Sequence, residues 1–224
     1  MTAFFVTATG TDIGKTFVTA GLVRWLRGQG VGAAAIKPVV SGLAPGALAA
    51  SDCAVLLAAM GEAITPEAAA RISPWQFTAP LSPDMAAARE GRTIDFGALL
   101  EFCRSRLPRS EDLLFIEGVG GVLVPLDDKH TVRDWIRLLG IPAIVVTGSY
   151  LGTISHTLTA VEALAHAGIA CAMIVIDESA DSPVSLEDTR AALGRFVPAV
   201  PVMLMHRNEE DAKADFAALG RQLV

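Results

Sequence analysis

Short apolar runs, each followed by a segment with helical spacing, recur along the chain. They are Phe4–Thr7, Ala33–Ile36, Leu113–Ile116, Ala143–Thr147, Ala170–Ile176 and Val200–Leu204. A run that is apolar at successive positions suits a strand buried on both faces, the condition of parallel strands covered by crossover helices. After Thr16 the period changes. Val18, Leu22 and Trp25 or Leu26 fall on one side of a helix and Arg24 and Arg27 on the other, so this helix can cover a sheet while facing water. A second helix is predicted from about Thr153 to Ala167, with Leu158, Val161 and Leu164 inward and Gly168 as its stop.

Strand and helix alternating in this way predict an α/β fold: a doubly wound, mainly parallel sheet with helices on both faces. Ligands then bind beyond the carboxyl ends of the strands. The 224 residues lie within the range of one core, and no repeat, low-complexity tract or linker divides them, so residues 1–224 are read as one domain. The proline-bearing stretch from Ser73 to Pro83 is expected to be an extended surface or lid segment.

Composition narrows the function classes. With 52% hydrophobic and 19% charged residues the chain is not disordered. A net charge of -6 without a local Lys/Arg cluster argues against nucleic acid or an anionic membrane as partner. Cys53, Cys103 and Cys171 are far apart in apolar or amphipathic surroundings and are read as reduced core thiols. Trp25, Trp75 and Trp135 are read as packing anchors. The segment Met1–Val6 lacks the basic start and long apolar stretch of a signal peptide, and no run reaches membrane-spanning length, so a cytoplasmic location is expected.

The chemistry-bearing residues follow the strands. After the first strand comes Ala8-Thr9-Gly10-Thr11-Asp12-Ile13-Gly14-Lys15-Thr16, leading into the first helix. This is a variant phosphate loop, with Thr9 where the common pattern has glycine. Backbone N–H groups of the loop and the positive helix end would receive phosphates. Lys15 would reach the β and γ oxygens, and the Thr16 hydroxyl would ligate Mg²⁺. A chance Gly-Lys-Thr is the bland alternative, and the strand-to-helix context weighs against it. The second strand runs into Lys37-Pro38-Val39-Val40-Ser41-Gly42, which places a second lysine at the same sheet edge. The third runs into Glu117-Gly118-Val119-Gly120-Gly121, an acid suited to Mg²⁺ followed by glycines that let a ligand approach the backbone. Asp52, behind Ser51, is either a further metal carboxylate or a helix-start charge.

The order Gly-Lys-Thr, Lys-Pro-Val-x-Ser-Gly, Asp52 and Glu-Gly-x-Gly-Gly resembles the dethiobiotin synthetase family of P-loop enzymes. Pro80-Leu81-Ser82-Pro83, Ala86-Ala87, Glu90-Gly91 and Leu151-Gly152-Thr153-Ile154-Ser155-His156 extend the likeness to about Ile176. The resemblance implies ATP- or other NTP-driven closure of the ureido ring of dethiobiotin from 7,8-diaminononanoate and CO2, with Mg²⁺. It further implies Lys37 and Lys15 as catalytic residues on the carbamate and the transferring phosphoryl group, and Thr11, Lys37 and Ser41 on the substrate. Thr16, Asp52 and Glu117 match the metal positions. Asp12, Ile13, Gly14, Lys15, Thr16, Phe17, Asp52, Glu117, Gly118, Val119, Gly120 and Asp177 match the nucleotide positions. The helix start at Thr153 matches the element that meets the substrate carboxylate across a twofold interface, which implies a homodimer. His156 is read as a packing or interface residue.

The chain departs from the family at Ala8, usually glycine, at Ser155, usually asparagine, and at Asp177, where an asparagine reads the adenine edge. An ionised carboxylate only accepts hydrogen bonds, so altered or relaxed base choice is expected. Three other readings stay open at this level: an amidotransferase-like synthetase, for whose glutaminase domain the length leaves no room; a ParA- or MinD-like ATPase switch, whose early loop lysine is absent here; and an inactive relative.

Overall fold

The computed structural model describes residues 3–108 and 112–224; Met1 and Thr2, the first residues of the segment read above for signal-peptide character, lie outside them. All six apolar runs form strands of one parallel sheet. These are β1 (Ala3–Ala8), β2 (Ala33–Ile36), β5 (Leu113–Glu117), β6 (Ala143–Gly148), β7 (Cys171–Asp177) and β8 (Val202–Met205). Their order is β2-β5-β1-β6-β7-β8. Burial on both faces removes any alternation: every residue of β5 and β6 is buried. β1 lies between β5 and β6, and the winding reverses there, which opens a crevice at its carboxyl end.

Helices flank the sheet. α1 (Lys15–Gly28) packs on β1, β2 and β5 and also meets α2 (Asp52–Met60) and α9 (Glu209–Arg221). Val18, Leu22 and Leu26 are buried and Arg24 and Arg27 exposed, as the periodicity predicts. α2 starts where Ser51 accepts from the Ala54 N–H at 3.3 Å, a side-chain cap that sets Asp52 at the first helical position. Phe5 meets Trp135 edge-on with ring centroids 4.8 Å apart, where α6 (Val132–Leu139) covers the middle of the sheet.

Two expectations need correction. The stretch from Ser73 to Pro83 is not simply extended surface. Trp75–Phe77 forms β4, which pairs in parallel with β3 (Val39–Ser41) in a second, two-stranded sheet, and α4 (Pro83–Arg89) starts at its end. Phe77 is fully buried beneath it, so packing overrides the prolines' bias toward an irregular segment. In α7 (Thr153–His166) the deeply buried side is Thr153, Thr157, Ala160 and Leu164, whereas Leu158 and Val161 are only half-buried at its flank. The hydroxyls of Thr153 and Thr157 satisfy themselves by hydrogen bonding, which lets two polar residues occupy the inner face. Gly168 does follow the helix, at φ 69.

Candidate functional site

The loop between β1 and α1 closes on Gly14, which has φ 84 and caps the helix without a side chain. A Cβ at that position would lie 2.1 Å from Asp177 Oδ2, so conformation and space both demand glycine. Asp12, at φ 54, is the only non-glycine residue with positive φ among the described residues, and aspartate is one of the few that tolerates it. The loop thus turns its first helical N–H groups toward a cavity of about 250 Å³. Thr11–Phe17 form one wall; Lys37, Val40, Ser41, Asp52, Val119 and Gly120 complete it.

Charge is concentrated at its floor. Lys37 Nζ donates to Glu117 Oε1 at 2.8 Å and also to Asp52 Oδ2, and Thr16 Oγ1 donates to the same Glu117 oxygen at 2.6 Å. Glu117 is fully buried, and its second oxygen, Oε2, has no hydrogen-bond partner among the described residues. Burial disfavours the Lys37 ammonium, but the Glu117 and Asp52 carboxylates outweigh it and raise its pKa above the ordinary lysine value. Burial likewise pushes the Asp52 carboxyl up, and Lys37 more than reverses this. Lys15 differs: burial, and then the charge of Lys37, lower it to about 8, and its ammonium rests on the Gly10 carbonyl at 3.0 Å. Glu117, Asp52 and Asp12 offset this only in part, and among the described residues no carboxylate hydrogen-bonds the Lys15 ammonium, which leaves it free to meet an anion.

Asp177, at the end of β7, lies against Gly14 rather than in this cavity. Burial raises its carboxyl to about 6, with Arg207 opposing and Glu178 reinforcing the shift. A second cavity of about 460 Å³ lies behind the loop, between Ala8–Thr11, Gly121–Pro125 and the α7 face bearing His156, Thr159, Ala160 and Ala163. Gly121 would carry a Cβ only 3.3 Å from the carbonyls of Ala8 and Thr9, so a glycine lets these segments approach. His156 Nδ1 is 2.9 Å from the Tyr150 hydroxyl at the surface.

Of the residues singled out in the sequence, Thr11 to Phe17, Lys37, Ser41, Asp52, Val119 and Gly120 border the first cavity. Glu117 lies beneath it, while Gly118 is held to β1 through its N–H on Val6 O at 2.9 Å. Sequence reasoning passed over Val40, although it sits inside the Lys-Pro-Val-Val-Ser-Gly motif. It also passed over Thr147, whose hydroxyl is hidden in an apolar run.

A parallel sheet with a glycine-closed loop, a buried lysine and a helix N-terminus at its switch point defines a P-loop NTPase-type fold. Residues 2–208 match the AAA domain family model. Among solved structures, the septum site-determining protein MinD of Pyrococcus horikoshii OT3, complexed with Mg-ADP, superposes with a TM-score of 0.60 at 15% identity, covering 99% of this chain and 96% of that one. A ParA family ATPase from Chlorobium tepidum TLS gives 0.52 at 13% identity, covering 99% and 90%. At these identities the likeness concerns the fold alone. The sequence relatives are more specific. The ATP-dependent dethiobiotin synthetase BioD of Acidiphilium cryptum is 52% identical over 90% of this chain and 91% of its own length, and that of Methylobacterium nodulans 44% over 87% and 89%. The chain belongs to the dethiobiotin synthetase family.

Proposed function

We propose that this chain is a dethiobiotin synthase, which uses ATP or another nucleoside triphosphate to join CO2 to 7,8-diaminononanoate and close the ureido ring. The observation that carries the reading is the convergence of Lys15, Lys37, Thr16, Asp52 and Glu117 at one sheet edge, in a chain 52% identical to a relative named for this activity. One substrate amine adds to CO2 and loses a proton, giving a carbamate. A carbamate oxygen attacks the γ-phosphorus, breaking its bond to the β-phosphate oxygen. The second amine then attacks the carbonyl carbon and loses a proton, and the bond from that carbon to the phosphate oxygen breaks, releasing inorganic phosphate. Each step brings anions together, and the two lysines supply the offset.

In this reading Lys15, hydrogen-bonded to the Gly10 carbonyl rather than to a carboxylate among the described residues, receives the β and γ phosphate oxygens together with the N–H groups from Asp12 to Phe17. Lys37 meets the carbamate, and Thr11 and Ser41 orient the diamine. Gly118, Val119 and Gly120 follow Glu117 closely along the backbone, and Asp177 sits at the base end. The donor set of Thr16, Asp52 and Glu117 fits Mg²⁺: all are hard oxygens, and Glu117 Oε2 is a buried carboxylate oxygen awaiting a partner. Among the described residues no three His, Cys, Asp or Glu side chains cluster as a metal cage, which suits an ion completed by phosphates and water. Bound there, Mg²⁺ would neutralise charge developing on the phosphate oxygens. The start of α7 and the exposed Leu151 before it suit the twofold interface of a homodimer, and a cytoplasmic enzyme of one domain over residues 1–224 completes the proposal.

The test is phosphate release with Mg²⁺-ATP and bicarbonate, with and without 7,8-diaminononanoate, repeated with CTP and GTP. Release that depends on the diamine, with dethiobiotin as product, is expected. Release indifferent to the diamine would overturn the reading in favour of a nucleotide switch.

A further inference from the structure

Thr147 is fully buried near the carboxyl end of β6, and its hydroxyl is the junction of four. Its Oγ1 lies 3.2 Å from Thr9 Oγ1, 2.8 Å from Thr153 Oγ1 and 2.8 Å from Thr157 Oγ1. These partners come from the phosphate loop on one side and from the first turns of α7 on the other.

Each hydroxyl has one proton to give and two lone pairs. Thr153 gives its proton to the Gly148 carbonyl at 2.6 Å, so the bond between Thr147 and Thr153 is donated by Thr147. Thr147 then has no proton left, and the bond to Thr9 is donated by Thr9. The chain runs in one direction, from Thr9 through Thr147 and Thr153 to Gly148 O. Thr157 shares its proton between Thr147 and the Thr153 carbonyl, 2.7 Å away.

Two consequences follow. Thr9 borders the second cavity, and with its proton committed to Thr147 it offers that cavity only lone pairs, which suits an N–H or ammonium group. Moreover, the four hydroxyls are not equally dependent on Thr147. Thr153 and Thr157 keep carbonyl partners without it, whereas Thr9 has no other side-chain hydrogen bond among the described residues.

We propose that Thr147 is a positioning residue for the organic substrate: the Thr9 backbone is tied to β6 through its N–H on Val146 O at 3.1 Å, and the Thr147 hydroxyl fixes the Thr9 side chain toward α7, setting the acceptor it presents to an amine. This rests on the reading above that the organic substrate is a diamine held at Thr11, which borders both the first and the second cavity, so that the diamine extends from one into the other. The nucleotide contacts lie farther along the loop, from Asp12 onward, and depend on Gly14 and α1 rather than on Thr147.

The test compares Thr147→Val, which keeps the shape and removes the hydroxyl, with Thr147→Ser, which keeps the hydroxyl, in the full chain. For Thr147→Val the KM for the diamine should rise about ten-fold, the scale of one lost buried hydrogen bond, with the KM for ATP within about two-fold. Thr147→Ser should restore the diamine KM, and Thr9→Val, which removes the acceptor itself, should raise it at least as much as Thr147→Val, with the double variant no worse than Thr9→Val alone. Amide hydrogen exchange gives a readout independent of turnover: residues 9–11 and 153–157 should exchange faster together in Thr147→Val and not in Thr147→Ser. Equal changes in both KM values, no change in either, or faster exchange confined to α7 would overturn the proposal. A parent protein without diamine-dependent turnover would defeat the functional reading and the amine assignment, and exchange would still decide whether Thr147 couples the two segments.

Discussion

Two neighbouring strands of this sheet end in the same backbone device and put it to different use. β1 leads through a loop to Gly14 and α1; β6 leads to Gly152 and α7. Both glycines cap their helices at positive φ, 84 and 101, and neither helix has a side-chain cap. Around α1 stand two buried lysines, and the cap glycine is pressed against Asp177. Around α7 the described residues show less crowding: Leu151, beside its cap, is 87% exposed, and a Cβ added at Gly152 would come no nearer than 3.7 Å to the His156 ring. An uncapped helix N-terminus is therefore only a partial invitation to an anion. The lysines make the first a candidate site for a triphosphate, while the second is left open toward a surface.

The largest effects are expected at the charged side of this contrast. Lys37→Gln removes the cation that bridges Asp52 and Glu117 and, in the proposed reaction, the carbamate partner; kcat should fall by about 10²–10³-fold, the scale of losing one preorganised electrostatic donor. Glu117→Gln should lower kcat by a similar order while the diamine KM changes little, because its proposed role lies in phosphoryl transfer. Steady-state kinetics with each substrate varied in turn checks both. Turnover unchanged in Glu117→Gln would remove this residue from the site.

Gly14→Ala comes next and attacks the shared device directly. The backbone strain of a left-handed alanine is about 1–2 kcal/mol. The new methyl also falls 2.1 Å from the Asp177 carboxylate, so either the loop or β7 must shift. A weakening of nucleotide binding beyond about ten-fold, more than strain alone gives, is expected from calorimetric titration with a non-hydrolysable analogue. Binding at the parental level would mean that the loop absorbs the methyl group.

The contrast also explains what the sequence made legible. The phosphate loop is contiguous, and its Gly-Lys-Thr follows an apolar run, so its place at a strand end could be read from residues 4–16 alone. Lys37 and Glu117 were readable for the same reason, each standing at the end of such a run. The Thr147 junction was not. Its four hydroxyls come from three separate segments, and Thr147 itself ends a run whose every neighbour is apolar, so periodicity assigns it to the core without revealing its partners. The same blindness misplaced the inner face of α7: hydrophobicity favours Leu158 and Val161 over Thr153 and Thr157, and only tertiary hydrogen bonds make the threonines the buried set. The small sheet of β3 and β4 escaped notice because three-residue strands carry no periodicity.

Asp177→Asn is expected to have a moderate effect, in two separable ways. Asparagine offers a donor where the carboxylate only accepts, so the ratio of kcat/KM for ATP over other nucleotides should rise, by about ten-fold for one gained pairing. The second effect concerns stability. Burial raises the Asp177 carboxyl in the folded chain from 3.8 to about 6, so ionising it is harder folded than unfolded. The folded state therefore holds this proton more tightly, and stability falls as pH rises across that interval. The variant cannot ionise and escapes the loss. Its Tm should exceed that of the parent near pH 8, and the two should converge near pH 4; a gap independent of pH would show that the carboxylate is not desolvated in the folded chain.

Gly152→Ala is the smallest perturbation and the sharpest check on the comparison. The added Cβ would lie 3.7 Å from the His156 ring, ordinary contact, so only the left-handed strain remains. Stability should drop by about 1–2 kcal/mol, a few degrees in Tm for a chain of this size. Nucleotide binding should stay at the parental level, since neither charge nor spacing at the phosphate loop is altered. If this variant instead weakened nucleotide binding as much as Gly14→Ala, strain anywhere along the β1–β6 edge would suffice to disturb the site, and the crowding at Gly14 would carry no special weight. A stability loss without a binding loss places the difference between the two helix starts in what surrounds them, because the backbone device itself is the same.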